Sequence, residues 1–535
     1  MNETLPAKRA ARRAPLSNVA ALLIVGALSG QILGFLRTKL VNANFSPVGP
    51  NSTDAYFAAF NIPDFFFFTL AAGALGVAFM PVLSDYLHRG DKKGMWQISS
   101  SLLNLLSIIM FGIGLIILIF ARPLIQHVVA PNLTPHQLNN AVNIMRWVAF
   151  DPLLFTISGI LTSIQQTMGR FFFYALAPLF YNLSIIISIF VFKHSLGLVG
   201  LGVGALIGAI LQLLVVALGL LKTGYKWHPV ILWRSRDFRM VLKQLPPRSL
   251  DQGIDQLESI VETNFARRLG EGNVTYYNNA FILQTAPILL IGTAISTAAF
   301  PRLTGRLSQH RPDLFRRDFL RIFRVMVWIT LPIAVICFYT RGYLARLIFT
   351  QGSPQIALIF GYLTLAIIFR TMYTIISRWF YAQKDTKTPL FVSIFAITLN
   401  VFLAWLLTQH SGYGIGGLAI AQSLVAMAEV VILMAVMLIR DHGLFNAEFW
   451  SAILKIISVT GFSVVVGFIM VSFYPLGALD RGFVTLGSKL ALIASVILVT
   501  HVAVSSLFGL EEVEPIFNRI RKVALFPLRD PFNFK

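Results

Sequence analysis

Charge is scarce in this chain. Asp, Glu, Lys and Arg together make up 13% of its 535 residues, about half of what a soluble protein carries. Cysteine is scarcer still. Cys337 stands alone, inside an apolar run beside Pro332, so neither a disulfide framework nor a thiolate metal site can be built. A small buried apolar side chain is the role left to it. Catalytic signatures are missing as well. The nine histidines are scattered, and HExxH, GxSxG, a P-loop and GxGxxG do not occur in a usable context, which argues against an enzyme. Acidic residues are outnumbered by basic ones, 23 against 44, for a formal charge of +21. Such an excess can mark a nucleic-acid binder. Here the basic residues sit in short loops between apolar runs, which is a topology signal, and no nucleic-acid partner is expected.

What the chain does have is hydrocarbon. It is 56% hydrophobic, with 45 Phe and a mean hydropathy of +0.73. This composition predicts an all-α polytopic membrane protein. Apolar runs of about 20 residues mark spanning helices. They fall near 17–41, 54–84, 95–121, 138–167, 171–193, 199–222, 249–269, 275–307, 318–347, 355–383, 388–410, 415–440, 449–474 and 484–508, fourteen in all. The basic start, MNETLPAKRAARRAP, precedes a run too long for a signal-peptide core and without a small-x-small cleavage site, so the first span is expected to be retained. Lys and Arg cluster in alternate loops: Lys8 to Arg13, Arg89 to Lys93, Lys226 to Arg248, Arg306 to Arg317, Lys384 and Lys387, and Arg519 to Lys522. The loop 42–53 has none. Positive charge marks the cytoplasmic side, so both termini are expected inside. Arg267 and Arg268, in the seventh loop, fit that alternation less well.

The stretch 53–87 reads TDAYFAAFNIPDFFFFTLAAGALGVAFMPVLSDYL. Asp54, Pro63, Asp64, Gly73, Gly76 and Pro81 interrupt it. A lipid-facing helix tolerates neither carboxylates nor breaks, whereas a helix lining a watery cavity does. TAPILLIGTAISTAAFPRLTGRL, at 285–307, is its counterpart: Pro81, Leu83 and Leu87 match Pro301, Leu303 and Leu307. Gln165 and Asn182 match Gln383 and Asn400 at an offset of about 218 residues. Gly200-Leu201-Gly202-Val203-Gly204 matches Gly417-Leu418-Ala419-Ile420-Ala421. The repeat is six helices, so the copies are expected as two parallel six-helix lobes in a pseudo-twofold arrangement, with two further helices after them. The expected organisation is a basic N-terminus at 1–16, an N-lobe at 17–222, an inter-lobe linker at 223–248, a C-lobe at 249–440, two last spans within 441–508 and a basic tail at 509–535. In that tail, EEVEPIFNRIRKVALFPLRD reads as an amphipathic surface helix. Parallel lobes around a polar chamber are the layout of an alternating-access transporter.

Polar groups inside spans are candidate sites by default. Asp251, Asp255, Glu258 and Glu262 recur at spacings of four, three and four, on one stripe of the seventh helix. Such acids must be paired, wet, protonated or cation-bound. Asp251 and Asp255 read either as residues at the cytoplasmic mouth or as part of the site. Glu262 reads as a coupling-ion site or a structural ion pair, with Asp255 and Glu258 as its companions. Arg37 either snorkels at the interface or grips an anionic headgroup. Asp54 either caps the second helix, Thr53 preceding it, or pairs with Arg37. Arg146 and Arg370 are expected to face protein or water. Asn182 and Asn400 suit interhelical hydrogen bonds. Phe65 to Phe68 suit helix packing or an acyl groove.

Taken together, LGFLR at 33–37, TDAYFAAFNIP at 53–63, AAGALGVAFMPVLSDY at 71–86, GTAISTAAFPRL at 292–303 and YAQKDTKTPL at 381–390 resemble the MurJ (MviN) family of lipid II flippases in the MOP exporter superfamily. The resemblance covers residues 17–508. It implies outward flipping of an undecaprenyl-pyrophosphate-linked peptidoglycan precursor across the bacterial inner membrane, with membrane lipids and cell-wall synthases as partners and a monomeric state. It implies a tail-holding groove on the last two spans. Of the candidate substrate residues, Arg37 and Asp54 match family positions important for function and Gln31 stands at a family arginine position, whereas Asp64, Arg146 and Arg370 are candidates by their place inside spans. The resemblance also implies coupling to membrane potential, protons or Na+, the last at Glu262 and Asn400, and no other cofactor. Family arginines are replaced at Gln31, Phe67 and Ile282, and a family Glu at Ala72, which makes the expected chamber less basic. The alternative is a cation-coupled exporter of another lipid-linked oligosaccharide or of organic cations on the same scaffold.

Overall fold

The computed structural model describes residues 16–72, 79–221, 223–409, 412–478 and 480–514, the side chains of 16–21, 23, 24, 72, 244 and 246–252 excepted. All regular structure in it is helical. Eleven helical segments are long and apolar enough to cross a membrane. Three more complete a series consistent with fourteen: α1 (Leu16–Asn44), the interrupted 53–88 segment, and α9 (Arg236–Arg268). The last two are the segments in which the sequence placed Asp54, Asp64 and the acid stripe. The basic tail beyond residue 514, with its expected amphipathic helix, lies outside the described residues, as does the N-terminus before residue 16.

The chain divides into two compact units, one up to Asn264 and one from Phe265. The division falls inside α9. The first unit begins with α1 and continues with α2 (Thr53–Phe67), a π-helical turn at Phe68–Ala72 and α3 (Met80–His88). Next come α4 (Lys92–Pro123) with a π-helical turn at Leu124–Val129, then α5 (Pro135–Val148) and α6 (Asp151–Thr167). The expected single span at 138–167 is thus two helices, split just before Asp151-Pro152. Proline lacks an N–H and is at home in a first helical turn, so a new helix starts there. After α7 (Phe172–Phe192) and α8 (Val199–Gly219) comes α9.

Helix α9 begins at Arg236, inside the segment expected as linker. Phe238, Val241 and Leu245 are all buried against α3, α4 and α6. They recur at three and four residues, the spacing of an amphipathic face. The remainder of the linker is an extended strap on a polar face of α4. Asn104 Nδ2 donates to the carbonyls of His228 (2.9 Å) and Val230 (3.0 Å), and Trp227 Nε1 donates to Asn104 Oδ1 at 2.9 Å.

Helices α7 and α8 approach closely because α8 presents Gly200, Gly204 and Gly208 to α7. A Cβ on Gly204 would lie 2.2 Å from Ser188 Oγ, and one on Gly208 would lie 3.0 Å from the Tyr181 carbonyl. Small residues four apart let helix backbones meet where lipid gives no hydrophobic drive. Ser184 Oγ then reaches the Gly204 carbonyl at 2.8 Å.

The second unit holds α10 (Asn273–Pro287), a π-helical turn at Ile288–Thr293 and α11 (Ala294–Ser308). Helices α12 (Pro312–Ile348), α13 (Ser353–Ala382), α14 (Lys387–Gln409) and α15 (Ile415–Arg440) follow. Then come α16 (Ala447–Phe473) and α17 (Phe483–Leu507). Helix α13 packs against α10, α11, α12 and α15 and is the most enclosed of the spans. Helices α16 and α17 pack on each other and on α12, where Trp328 Nε1 donates to Ser505 Oγ at 2.8 Å. Of the two helices expected as broken at 53–87 and 285–307, the second stays helical without a gap from Asn273 to Ser308. Each carries a π-helical turn, a feature that loosens the regular ladder and often marks a functional segment.

Candidate functional site

In the first unit, α2 carries the site residues. Its cap is Ser52, whose hydroxyl accepts from Asp54 N–H at 3.2 Å. Asp54 is therefore a fully buried first-turn residue and not the cap. Ser52 rather than Thr53-Asp54 serves because its hydroxyl sits one residue before the first helical position, in reach of the unpaired N–H groups. Asp64 lies ten residues further, about 15 Å along the axis, so Asp54 and Asp64 do not share a locus. Arg37 of α1, half-buried, lies close enough to Asp64, Tyr56 and Tyr181 for its charge to act on all three. That cluster brings together two of the expected residues, Arg37 and Asp64. Gln31 and Arg146 are exposed. Phe67, where the resemblance expected arginine, stacks edge-on against Phe155 at 5.6 Å. Phe65 and Phe66 pack on the apolar core of the first unit.

The same unit seats the acid stripe of α9. Glu258 (8% exposed) and Glu262 (7%) are buried; Asp255 is exposed. The Asp251 side chain lies outside the described residues. Beside the two glutamates, Ser259 Oγ donates to Asn61 Oδ1 at 3.2 Å and Asn61 Nδ2 donates to Thr263 Oγ1 at 3.3 Å. Asn264 Nδ2 donates to the Val128 carbonyl at 2.7 Å, at the π-helical turn after α4. Thus α9 lays a polar face on α2 and α4, and two carboxyl groups are held within it.

In the second unit Arg370 of α13 pairs with Glu429 of α15 at 3.3 Å. Glu429 also accepts from Ser393 Oγ at 2.9 Å, and Ser393 contacts Tyr373 OH at 3.3 Å. Arg370 was expected to face protein or water; it faces a buried carboxylate. Asn400 is buried on α14. Glu262 belongs to the first unit and Asn400 to the second. Among the described residues, no three His, Cys, Asp or Glu side chains converge where they could hold a metal ion. Asn182 bonds the Pro178 carbonyl of its own helix at 3.3 Å, so it does not act as glue between helices. Gln165 does act between helices: its Nε2 donates across to the Val216 carbonyl of α8 at 2.6 Å.

The YAQKDTKTPL segment is a built turn. Asp385 accepts from the N–H groups of Lys387 and Thr388 (3.0 and 3.1 Å) and from Thr388 Oγ1 (2.6 Å). Arg440, ending α15, donates to Asp385 at 2.6 Å and lies over the Phe380 ring. Partial burial would push the carboxyl up, but these donors outweigh it and hold Asp385 at about 2.

Sequence reasoning missed Asp151, Asn61 and Glu429. Glu429, in AMAEVVIL, and Asp151, in AFDPLLF, are lone acids in apolar runs. The rule that selected Glu262 applies equally to them.

A profile of the family described as lipid II flippase MurJ matches residues 50–485. The probable lipid II flippase MurJ of Borreliella burgdorferi is 23% identical over 444 residues, 81% of this chain and 86% of that protein. The corresponding protein of Buchnera aphidicola subsp. Acyrthosiphon pisum is 25% identical over 411 residues, covering 74% and 79%. Among solved structures, a lipid II flippase MurJ in an inward closed conformation superposes with a TM-score of 0.75 at 22% identity, covering 91% of this chain and 98% of that one. An inward-facing multidrug resistance MATE family transporter of the MOP superfamily gives 0.66 at 17% identity, covering 79% and 99%. The fold is the one these transporters share.

Proposed function

This chain belongs to the lipid II flippase MurJ family, and we propose that it carries lipid II from the cytoplasmic to the outer leaflet by alternating access, for cell-wall synthesis. The observation that carries this reading is the family match, which runs through twelve of the fourteen spans, from the second to the thirteenth, and into the last. The chain is a multi-pass membrane protein and a transporter. The MATE likeness is weaker in TM-score and in the share of this chain that it covers, so export of organic cations is not favoured.

In this reading Arg37 meets the pyrophosphate, since a guanidinium offers paired donors to phosphate oxygens. Asp64 beside it keeps the side chain extended when no substrate is present. The polyprenyl tail lies along α16 and α17, whose outer faces expose Leu454, Ile457, Phe468 and Val499. Coupling comes from the membrane potential or from a cation at Glu262. The protein works as a monomer in the bacterial inner membrane, both termini cytoplasmic, delivering substrate to cell-wall synthases.

The test is rescue of a bacterium depleted of its own flippase. Wild-type protein restores growth and lipid II translocation, and Arg37→Ala, expressed to the same level, does not. Failure of the well-expressed wild type overturns the reading; full rescue by Arg37→Ala removes that residue from the site.

A further inference from the structure

Asp151 is the most anomalous side chain of the first unit. It is 3% exposed, and neither carboxylate oxygen has a hydrogen-bond partner. Buried carboxylates are otherwise paired or hydrogen-bonded, and one that is not requires an explanation. Its position accounts for part of the isolation. Asp151 opens α6 and is followed by Pro152, so the nearest N–H that a first-turn carboxylate would take is missing.

Its neighbours do not neutralise it. Among the described residues, the charged group that acts on Asp151 is Asp64 of α2, a second carboxylate. The Tyr181 phenol of α7 is also within its field. Arg37 acts on Asp64, Tyr56 and Tyr181. Helices α3, α4 and α8, which also pack against α6, bring no charged group to bear on it. Arg37 thus offsets Asp64, and Asp151 is left over. Asp64 is half-buried whereas Asp151 is enclosed, so Asp64 is the more accessible of the two carboxyl groups.

We propose that Asp151, reached through Asp64, is a cation-exchange site of the first unit that takes a monovalent cation, foremost a proton, and is separate from the glutamates of α9. The exchange is a binding equilibrium: the carboxylate takes a proton from water on one side and returns it to water later, with no other bond made or broken. The proposal rests on the transport reading only for its purpose. The site itself is a property of the folded first unit.

The experiment is infrared difference spectroscopy of the full-length protein in lipid nanodiscs, between about pH 8 and about pH 5. Wild type shows a carboxylic-acid carbonyl band that titrates. Asp151→Asn lacks it, and Asp64→Asn, which keeps Asp151 but removes the like charge, moves its midpoint by about one pH unit or more. Replacing choline by sodium at fixed pH suppresses the band if the site also takes the metal ion, which supports the broader cation assignment. Superimposable wild-type and Asp151→Asn spectra in both series overturn the proposal. If Asp151→Asn does not fold, an unmoved midpoint in Asp64→Asn overturns it instead. The readout is independent of the lipid carried, so a negative result here leaves the flippase reading standing, and failure of lipid II translocation leaves this site testable.

Discussion

Arg370 is a candidate substrate residue that the structure ties to a protein partner, and the two roles separate by experiment. The pair is 3.3 Å apart; the Glu429 side chain is 2% exposed and that of Arg370 22%. At an effective dielectric constant of about 20, opposite charges at that distance attract by roughly 5 kcal/mol. Taking both from water offsets most of this, so the intact pair adds little net stability. Breaking it is another matter, because it strands a buried charge. Arg370→Met is expected to lower the unfolding free energy by about 3–5 kcal/mol, whereas Arg370→Met with Glu429→Met lies within about 1 kcal/mol of wild type. A double-mutant cycle by titration with a denaturing detergent, followed by circular dichroism, measures this. Single costs that simply add refute the reasoning. Rescue of the depleted bacterium by the stable double variant then assigns Arg370 to architecture, and a stable double variant that fails to rescue assigns it to transport.

Three further outcomes follow from the geometry. Gly204→Val drives a side chain into Ser188 of α7 and costs about 1–3 kcal/mol or more. Gly112→Ala on α4, where nothing lies within 4 Å of the added Cβ, is neutral or up to about 1 kcal/mol stabilising; equal effects in the same titration contradict the close-packed account of α8. Asp385→Asn tests the turn between α13 and α14. A carboxyl held down to about 2 stabilises the fold above its unfolded value near 4 and loses that contribution as pH falls through about 2. The variant therefore unfolds at lower temperature than wild type at neutral pH, and the gap closes toward about pH 2; a gap that persists there contradicts the assignment. Ser52→Ala removes the α2 cap and costs about 1 kcal/mol, read in the same detergent titration; no loss places the cap elsewhere.

The all-helical build and the irregular second and eighth helices, each with a π-helical turn, were legible because hydropathy and proline placement are local properties. Gly200 and Gly204, which the repeat motif singled out, meet α7. The start of α9 was obscured by Pro246-Pro247, which outweighed the amphipathic signal of Phe238, Val241 and Leu245. The pairing of Arg370 with Glu429 is 59 residues distant in sequence, and no local pattern encodes such a partner. Asp54 and Asp64 looked equivalent as intramembrane acids, yet helix geometry sets them apart along α2, and the Arg37 charge acts on Asp64. Asp151 was passed over inside the expected single span at 138–167, and nothing in the sequence says that its carboxyl group is enclosed without a hydrogen-bond partner.

The central claim is that this chain moves lipid II. The most direct measurement is lipid II translocation in vesicles holding the purified protein, with an enzyme outside that modifies only outward-facing headgroups. The account predicts modification of the inner-leaflet pool well above that in empty vesicles, and a fall to the empty-vesicle rate with Arg37→Ala. Equal rates with and without the folded wild-type protein, under an imposed membrane potential and with both proton and sodium gradients supplied, would contradict it.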